Sequence, residues 1–240
     1  MMNDGVRFRG MGPTAVVALC LGLASCWGGA PREPGPARPS TTTAGSWSST
    51  AEATAIRVVA LGDSLTAGYG LMADEAYPAL LQARFRQRGV PVEVANAGVS
   101  GDTSAGGLRR LDWALDPSVR VIVIALGAND ALRGLPVAEM AHNLATMIER
   151  AQSRGITVIL AGLEAPPNLG QEYCTAFRLA YRELSDRYHV GLLPFLLEGV
   201  AGVARLNQAD GIHPNAEGAK RVADNLWPLV ESAVRAAGPS

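Results

Sequence analysis

Val119-Arg120-Val121-Ile122-Val123-Ile124-Ala125-Leu126, running on into Gly127-Ala128-Asn129-Asp130, decides the fold class. A nearly unbroken β-branched run of this kind suits a strand covered on both faces, the central position of a parallel sheet. A strand with one wet face would alternate apolar and polar residues instead. The small and polar residues behind it end the strand and open a connection.

The same rhythm extends in both directions. Arg57 to Leu61 (RVVAL) reads as a buried strand ending at Gly62-Asp63-Ser64, Val92 to Ala95 as a second, Thr157 to Ala161 as another, and Gly191 to Leu193 as a short last one. Between them, Ala76 to Arg88 carries Leu80, Leu81 and Phe85 at helical spacing. Val137 to Gln152, Tyr173 to Tyr188 and Ala216 to Ala236 also read as helices. Strands alternating with helices predict an α/β protein, a three-layer α/β/α sandwich on a parallel central sheet. Functional groups in such sheets gather beyond the carboxyl ends of the strands.

The 240 residues suit one domain with accessory segments. With 48% apolar and 18% charged residues the composition is that of a globular protein. The formal net charge is −1, both signs are mixed along the chain, and no basic run occurs. Together with an aromatic content of 5%, this weighs against nucleic acid as a partner.

The N-terminus reads as an export signal rather than part of the fold. Arg7 and Arg9 precede an apolar run from Thr14 to Leu23, which is too short to span a bilayer comfortably. Its end, Leu23-Ala24-Ser25-Cys26, resembles the lipobox of bacterial lipoproteins. That resemblance implies a signal peptide over 1–25, lipidation of Cys26 and a lipid anchor in the bacterial cell envelope, on the periplasmic side or cell surface. A plain secretory signal with an incidental cysteine is the alternative. Residues 26–55, rich in Pro, Gly, Ser, Thr and Ala, read as a flexible tether, and 56–237 as the folded domain. Of the three cysteines, Cys20, Cys26 and Cys174, only Cys174 would then stay free, and no internal disulfide could form. Cys174 is expected to be a small core residue in a helix.

Several catalytic signatures are missing. There is no phosphate loop, no dinucleotide-binding glycine motif, no H-E-x-x-H, no G-x-S-x-G elbow and no zinc-ligand spacing of cysteines. Four polar blocks remain, each in a loop that follows a predicted strand. In Gly62-Asp63-Ser64-Leu65 a tight turn can expose the hydroxyl of Ser64, although the same residues also make an ordinary helix cap. Among only three histidines, His142 and His189 sit in or at the end of predicted helices. His213 lies in Asp210-Gly211-Ile212-His213-Pro214, where Asp210 can reach back to one imidazole nitrogen and leave the other for Ser64. Gly101 can offer a backbone N–H, and Asn129 a side-chain amide, to a developing oxyanion.

These four blocks resemble those of the SGNH-hydrolase (GDSL) family, whose fold is flavodoxin-like. Asn96 to Thr103 and Leu163 to Gly170 look more narrowly like its bacterial arylesterase/thioesterase/lysophospholipase branch. The likeness runs from about Ile56 to Leu229. It implies Ser64 as nucleophile, Asp210 and His213 as the base pair, and the Ser64 N–H, Gly101 and Asn129 as the oxyanion hole. Ala128 departs from the pattern, since relatives often carry glycine there.

The expected reaction is hydrolysis of carboxylic esters through an acyl-enzyme, without metal or organic cofactor. The loop from Leu163 to Gly170 is expected to line the acyl side of the site, with Leu163 and Pro166 as substrate-binding residues. The substrates implied are small-molecule or lipid esters: aryl or short-to-medium acyl esters, thioesters and lysophospholipids. The rival readings are a carbohydrate O-deacetylase on the same fold and a non-catalytic lipoprotein that binds an acyl ligand. Oligomeric state is not readable from the sequence.

Overall fold

The computed structural model describes residues 55–238. The expected signal segment, Cys26 and the tether up to residue 54 lie outside the described residues. Five parallel strands, β1 (Ile56–Gly62), β2 (Val92–Gly98), β3 (Val119–Ala125), β4 (Thr157–Ala161) and β5 (Gly191–Leu193), form one sheet in the order β2-β1-β3-β4-β5. The expected α/β/α sandwich on a parallel sheet is therefore the architecture found. β1 and β3 are apolar and buried almost throughout, as a central position requires.

The helices are α1 (Ser64–Ala67), α2 (Tyr77–Gln87), α3 (Ser104–Ala114), α4 (Ala128–Leu132), α5 (Val137–Gln152), α6 (Gln171–Tyr188) and α7 (Ala216–Ala237). α2 packs on α7, and α7 crosses β3, β4 and β5. α3, α5 and α6 pack in sequence against one another and against β1, β4 and β5. Phe85 of α2 and Trp227 of α7 hold ring centroids 4.7 Å apart, and the guanidinium of Arg88 lies 4.6 Å from the Trp227 ring.

α3 is the longest of three helices, with α1 and α4, that sequence periodicity did not predict. Gly106 and Gly107 are poor helix formers, yet here they let the helix lie close to its neighbours. A Cβ at Gly107 would sit 2.2 Å from Leu126 Cδ1, and one at Gly106 would sit 2.5 Å from Asp102 Oδ1. Packing outweighs propensity.

Register brings the site together. Gly62 of β1 pairs with Gly98 of β2 on one side and with Ala125 of β3 on the other, so three strands end level. The chain leaves β1 for β2 at one flank and returns to β3 at the other. This reversal opens a crevice between the loops after β1 and β3, where α/β sheets of this strand order bind ligands.

Two expectations are corrected. Leu163 is only 2% exposed and belongs to the hydrophobic core, because its neighbour Gly162 continues backbone pairing with Leu193 and keeps the chain against the sheet. Cys174 does sit in a helix, α6, but it is half-exposed rather than buried. Its sulfur lies 3.4 Å from the Pro166 carbonyl oxygen.

Candidate active site

Ser64 opens α1, immediately past the β1 terminus. Asp63 caps this helix by accepting a 3.0 Å hydrogen bond from the Leu65 N–H, so the cap and the exposed hydroxyl belong to one turn. The turn needs glycine at 62, where a Cβ would fall 1.9 Å from Thr66 Oγ1 and 2.9 Å from the Ala125 carbonyl oxygen.

The loop between β5 and α7 delivers the imidazole. His213 Nε2 lies 2.9 Å from Ser64 Oγ, and His213 Nδ1 lies 2.6 Å from Asp210 Oδ2. The other carboxylate oxygen, Oδ1, accepts from the backbone N–H groups of Ile212 (2.9 Å) and His213 (3.0 Å). Charge-stabilising donors lower the pKa of Asp210 from 3.8 to about 2, the His213 backbone N–H first, then the His213 ring and the Ile212 N–H. The carboxylate therefore stays ionised beside the ring. Asn215 caps α7 through the N–H groups of Glu217 and Gly218 (3.0 Å each) and donates to the Arg205 carbonyl oxygen, which anchors the loop just past His213.

Gly101 occupies the third position of a four-residue turn in which the Asp102 N–H donates to Val99 O (3.1 Å), with φ of 83°. That conformation belongs to a type II turn, and glycine adopts it without strain. Arg133, just past α4, donates to the Gly101 carbonyl oxygen at 2.8 Å. Asn129 lies in α4, and its Nδ2 donates to Asp63 Oδ2 at 3.2 Å. One N–H of the amide is thereby held, and the second has no protein acceptor among the described residues. The α4 turn is braced from behind: the Tyr181 hydroxyl donates to Leu126 O (2.9 Å) and would collide with a Cβ at Gly127, where φ is 127°.

Polar ties link these loops. Asp130 is 2% exposed and accepts from the Ser104 N–H (2.7 Å) and Ser104 Oγ (2.6 Å). Arg110 of α3 donates to Asp102 Oδ2 (2.6 Å), Ala97 O (2.6 Å) and Gly62 O (2.7 Å), so one guanidinium spans the ends of β1 and β2 and the Gly101 turn. Burial raises the pKa of Asp63 from 3.8 to about 6, opposed by the bonds from Leu65 and Asn129. Sequence reading assigned no role to Asp63, Arg110 or Asp130. Asp63 stood inside a quoted motif, but nothing local marks Arg110.

An apolar recess lies beside Ser64 and His213, bounded by Leu65, Tyr69, Leu71 and Leu197 among others. Of the two residues expected to line the acyl side, neither bounds this recess. Leu163 is in the core, and Pro166 lies half-buried before the turn Pro167–Leu169.

The chain is similar to known esterases. Esterase TesA of Pseudomonas aeruginosa is 42% identical over 183 residues, covering 76% of this chain and 91% of that protein. The arylesterase of Vibrio mimicus is 37% identical over 169 residues, covering 70% and 84% respectively. The crystal structure of TesA has a TM-score of 0.71 with 41% identity, over 74% of this chain and 99% of the other. The sequence profile of the GDSL-like lipase/acylhydrolase family matches residues 60–221, the stretch that runs from the end of β1 past His213 into α7, and the chain belongs to that family.

Proposed function

We propose that this ester hydrolase works through an acyl-enzyme formed on Ser64. Ser64 Oγ attacks the ester carbonyl as its proton passes to His213 Nε2, and Asp210 holds the ring and stabilises the imidazolium. The carbonyl oxygen gains negative charge against the Ser64 and Gly101 N–H groups and the free N–H of Asn129. Collapse of the adduct breaks the bond to the alcohol oxygen, which takes the proton from Nε2. Water then enters by the same route and releases the acid.

The observation that carries this reading is the unbroken relay from Asp210 Oδ2 through the imidazole to Ser64 Oγ, with steps of 2.6 and 2.9 Å. The substrates are carboxylic esters with aryl or short-to-medium acyl groups, in keeping with relatives named as esterase and arylesterase, and thioesters and lysophospholipids share the required carbonyl. A fluorophosphonate probe tests the chemistry. Stoichiometric labelling of Ser64 with loss of turnover is expected, and turnover that persists in Ser64→Ala would defeat the reading.

The protein acts at the bacterial cell envelope, exported by residues 1–25 and anchored through a lipid on Cys26. The motif Leu23-Ala24-Ser25-Cys26 supports this. Cys26→Ser should move the protein from the membrane fraction to the soluble one, and unchanged fractionation would remove the anchor.

A further inference from the structure

The recess beside Ser64 measures about 10 Å³, room for one water, so a substrate group on the imidazole side of the nucleophile rests outside it. Tyr69 forms its lip. The Tyr69 ring centroid is 4.7 Å from that of His213 at an interplanar angle of 41°, and the residue is 54% exposed, so part of the ring is open to a ligand.

The position of Tyr69 is built rather than incidental. Gly68 ends α1 in the left-handed conformation (φ 76°) and turns the chain toward the His213 loop. Gln208 then clamps the two segments together: its Nε2 donates to Tyr69 O (2.6 Å) and Pro214 O (3.0 Å), and its backbone N–H donates to His213 O (2.8 Å). Gly70 leaves room for this clamp, since a Cβ there would meet Gln208 Oε1 at 2.2 Å.

Proton delivery assigns a role to this surface. When the adduct on Ser64 collapses, the carbon–oxygen bond to the alcohol breaks and its electron pair stays on that oxygen. The oxygen takes the proton from His213 Nε2, so it must lie within hydrogen-bond reach of that nitrogen. Whatever the oxygen carries falls against the residues flanking the ring. We propose that the exposed face of the Tyr69 ring forms the leaving-group subsite, that this subsite takes an aryl alcohol, and that the ring is its specificity-determining element. Aromatic pairs at tilted or offset geometry favour such a group over an alkyl chain. The inference rests on the acyl-enzyme reading above.

Two esters of one acid test it, because they form the same acyl-enzyme and differ only in the departing alcohol. With phenyl butyrate and ethyl butyrate, Tyr69→Ala should lower the ratio of kcat/KM (phenyl over ethyl) by about five- to tenfold, and Tyr69→Phe should keep it. The acyl-length profile of phenyl esters from acetate to decanoate should not change in Tyr69→Ala. Equal losses on both butyrates would overturn the subsite and leave the acyl-enzyme standing. An altered acyl-length profile would place the ring on the acyl side and overturn it too. A parent enzyme that hydrolyses neither ester and resists labelling at Ser64 would instead defeat the acyl-enzyme reading beneath it.

Discussion

His213 Nε2 stands 2.9 Å from Ser64 Oγ although 149 residues of chain separate them. Ser64 is placed by the end of β1 and His213 by the loop before α7, so their contact depends on the whole sheet between. Neither side chain carries core packing. Ser64→Ala and His213→Ala should each lower kcat by roughly 10⁴-fold or more with an unchanged circular dichroism spectrum. A loss of less than tenfold in either variant would dismiss that residue from the reaction.

The pairing of Asp63 with Asn129 leads to a second expectation. Asn129→Ala should cut kcat by a factor of about 100 to 1,000 with a smaller change in KM, as for a donor used mainly in the transition state. In Asp63→Asn, residue 63 can still cap α1, but its amide would face the Asn129 Nδ2 donor with a second donor. That variant should lose kcat as well, through a misaimed Asn129. Full activity in Asp63→Asn would show that Asp63 does not position the amide.

pH acts on the two aspartates in opposite senses. Asp63 has a raised folded-state pKa, so its ionisation costs nothing below 3.8 and the full amount, about 3 kcal/mol, above about 6. Asp63→Asn should therefore gain stability relative to the parent as pH rises through that window, measured by urea unfolding. Asp210 has a lowered pKa, so its stabilising contribution is complete above 3.8 and fades as pH falls to about 2. The stability gap between the parent and Asp210→Asn should close as pH falls from about 4 toward 2. A gap in either comparison that did not vary with pH would refute that assignment.

Arg110 binds three acceptors from separate segments at 2.6 to 2.7 Å, and it is largely enclosed. Arg110→Met would leave Asp102 without its partner and remove a donor from the Gly62 and Ala97 carbonyls, the first of which would keep the Val99 N–H. It should cost on the order of 3 kcal/mol and slow phosphonate labelling of Ser64 at temperatures where the variant remains folded. Arg110→Lys should recover only part of the labelling rate, because an ammonium lacks the planar fork. Parent-like labelling in the folded Met variant would reduce Arg110 to a structural tie.

Periodicity and local chemistry determined a good deal without tertiary information. The apolar run from Val119 to Leu126 marked a central strand, and glycine and polar residues behind each strand marked Ser64, Gly101, Asn129 and the Asp210/His213 pair. Asp210 and His213 are three residues apart, so their contact was legible from spacing alone.

Tertiary structure alone decided which loops meet and which side chains face inward. Strand order and the level register of Gly62, Gly98 and Ala125 gather Ser64, Gly101 and Asn129, and they place Arg110 across the ends of two strands. They also turned Leu163 into the core and Tyr69 against the imidazole, neither of which its neighbours in sequence foretold. The physical reason is range. Hydrophobic period and turn chemistry act over a few residues, whereas the facing of a loop residue is set by partners dozens of positions away that only the packed sheet brings near.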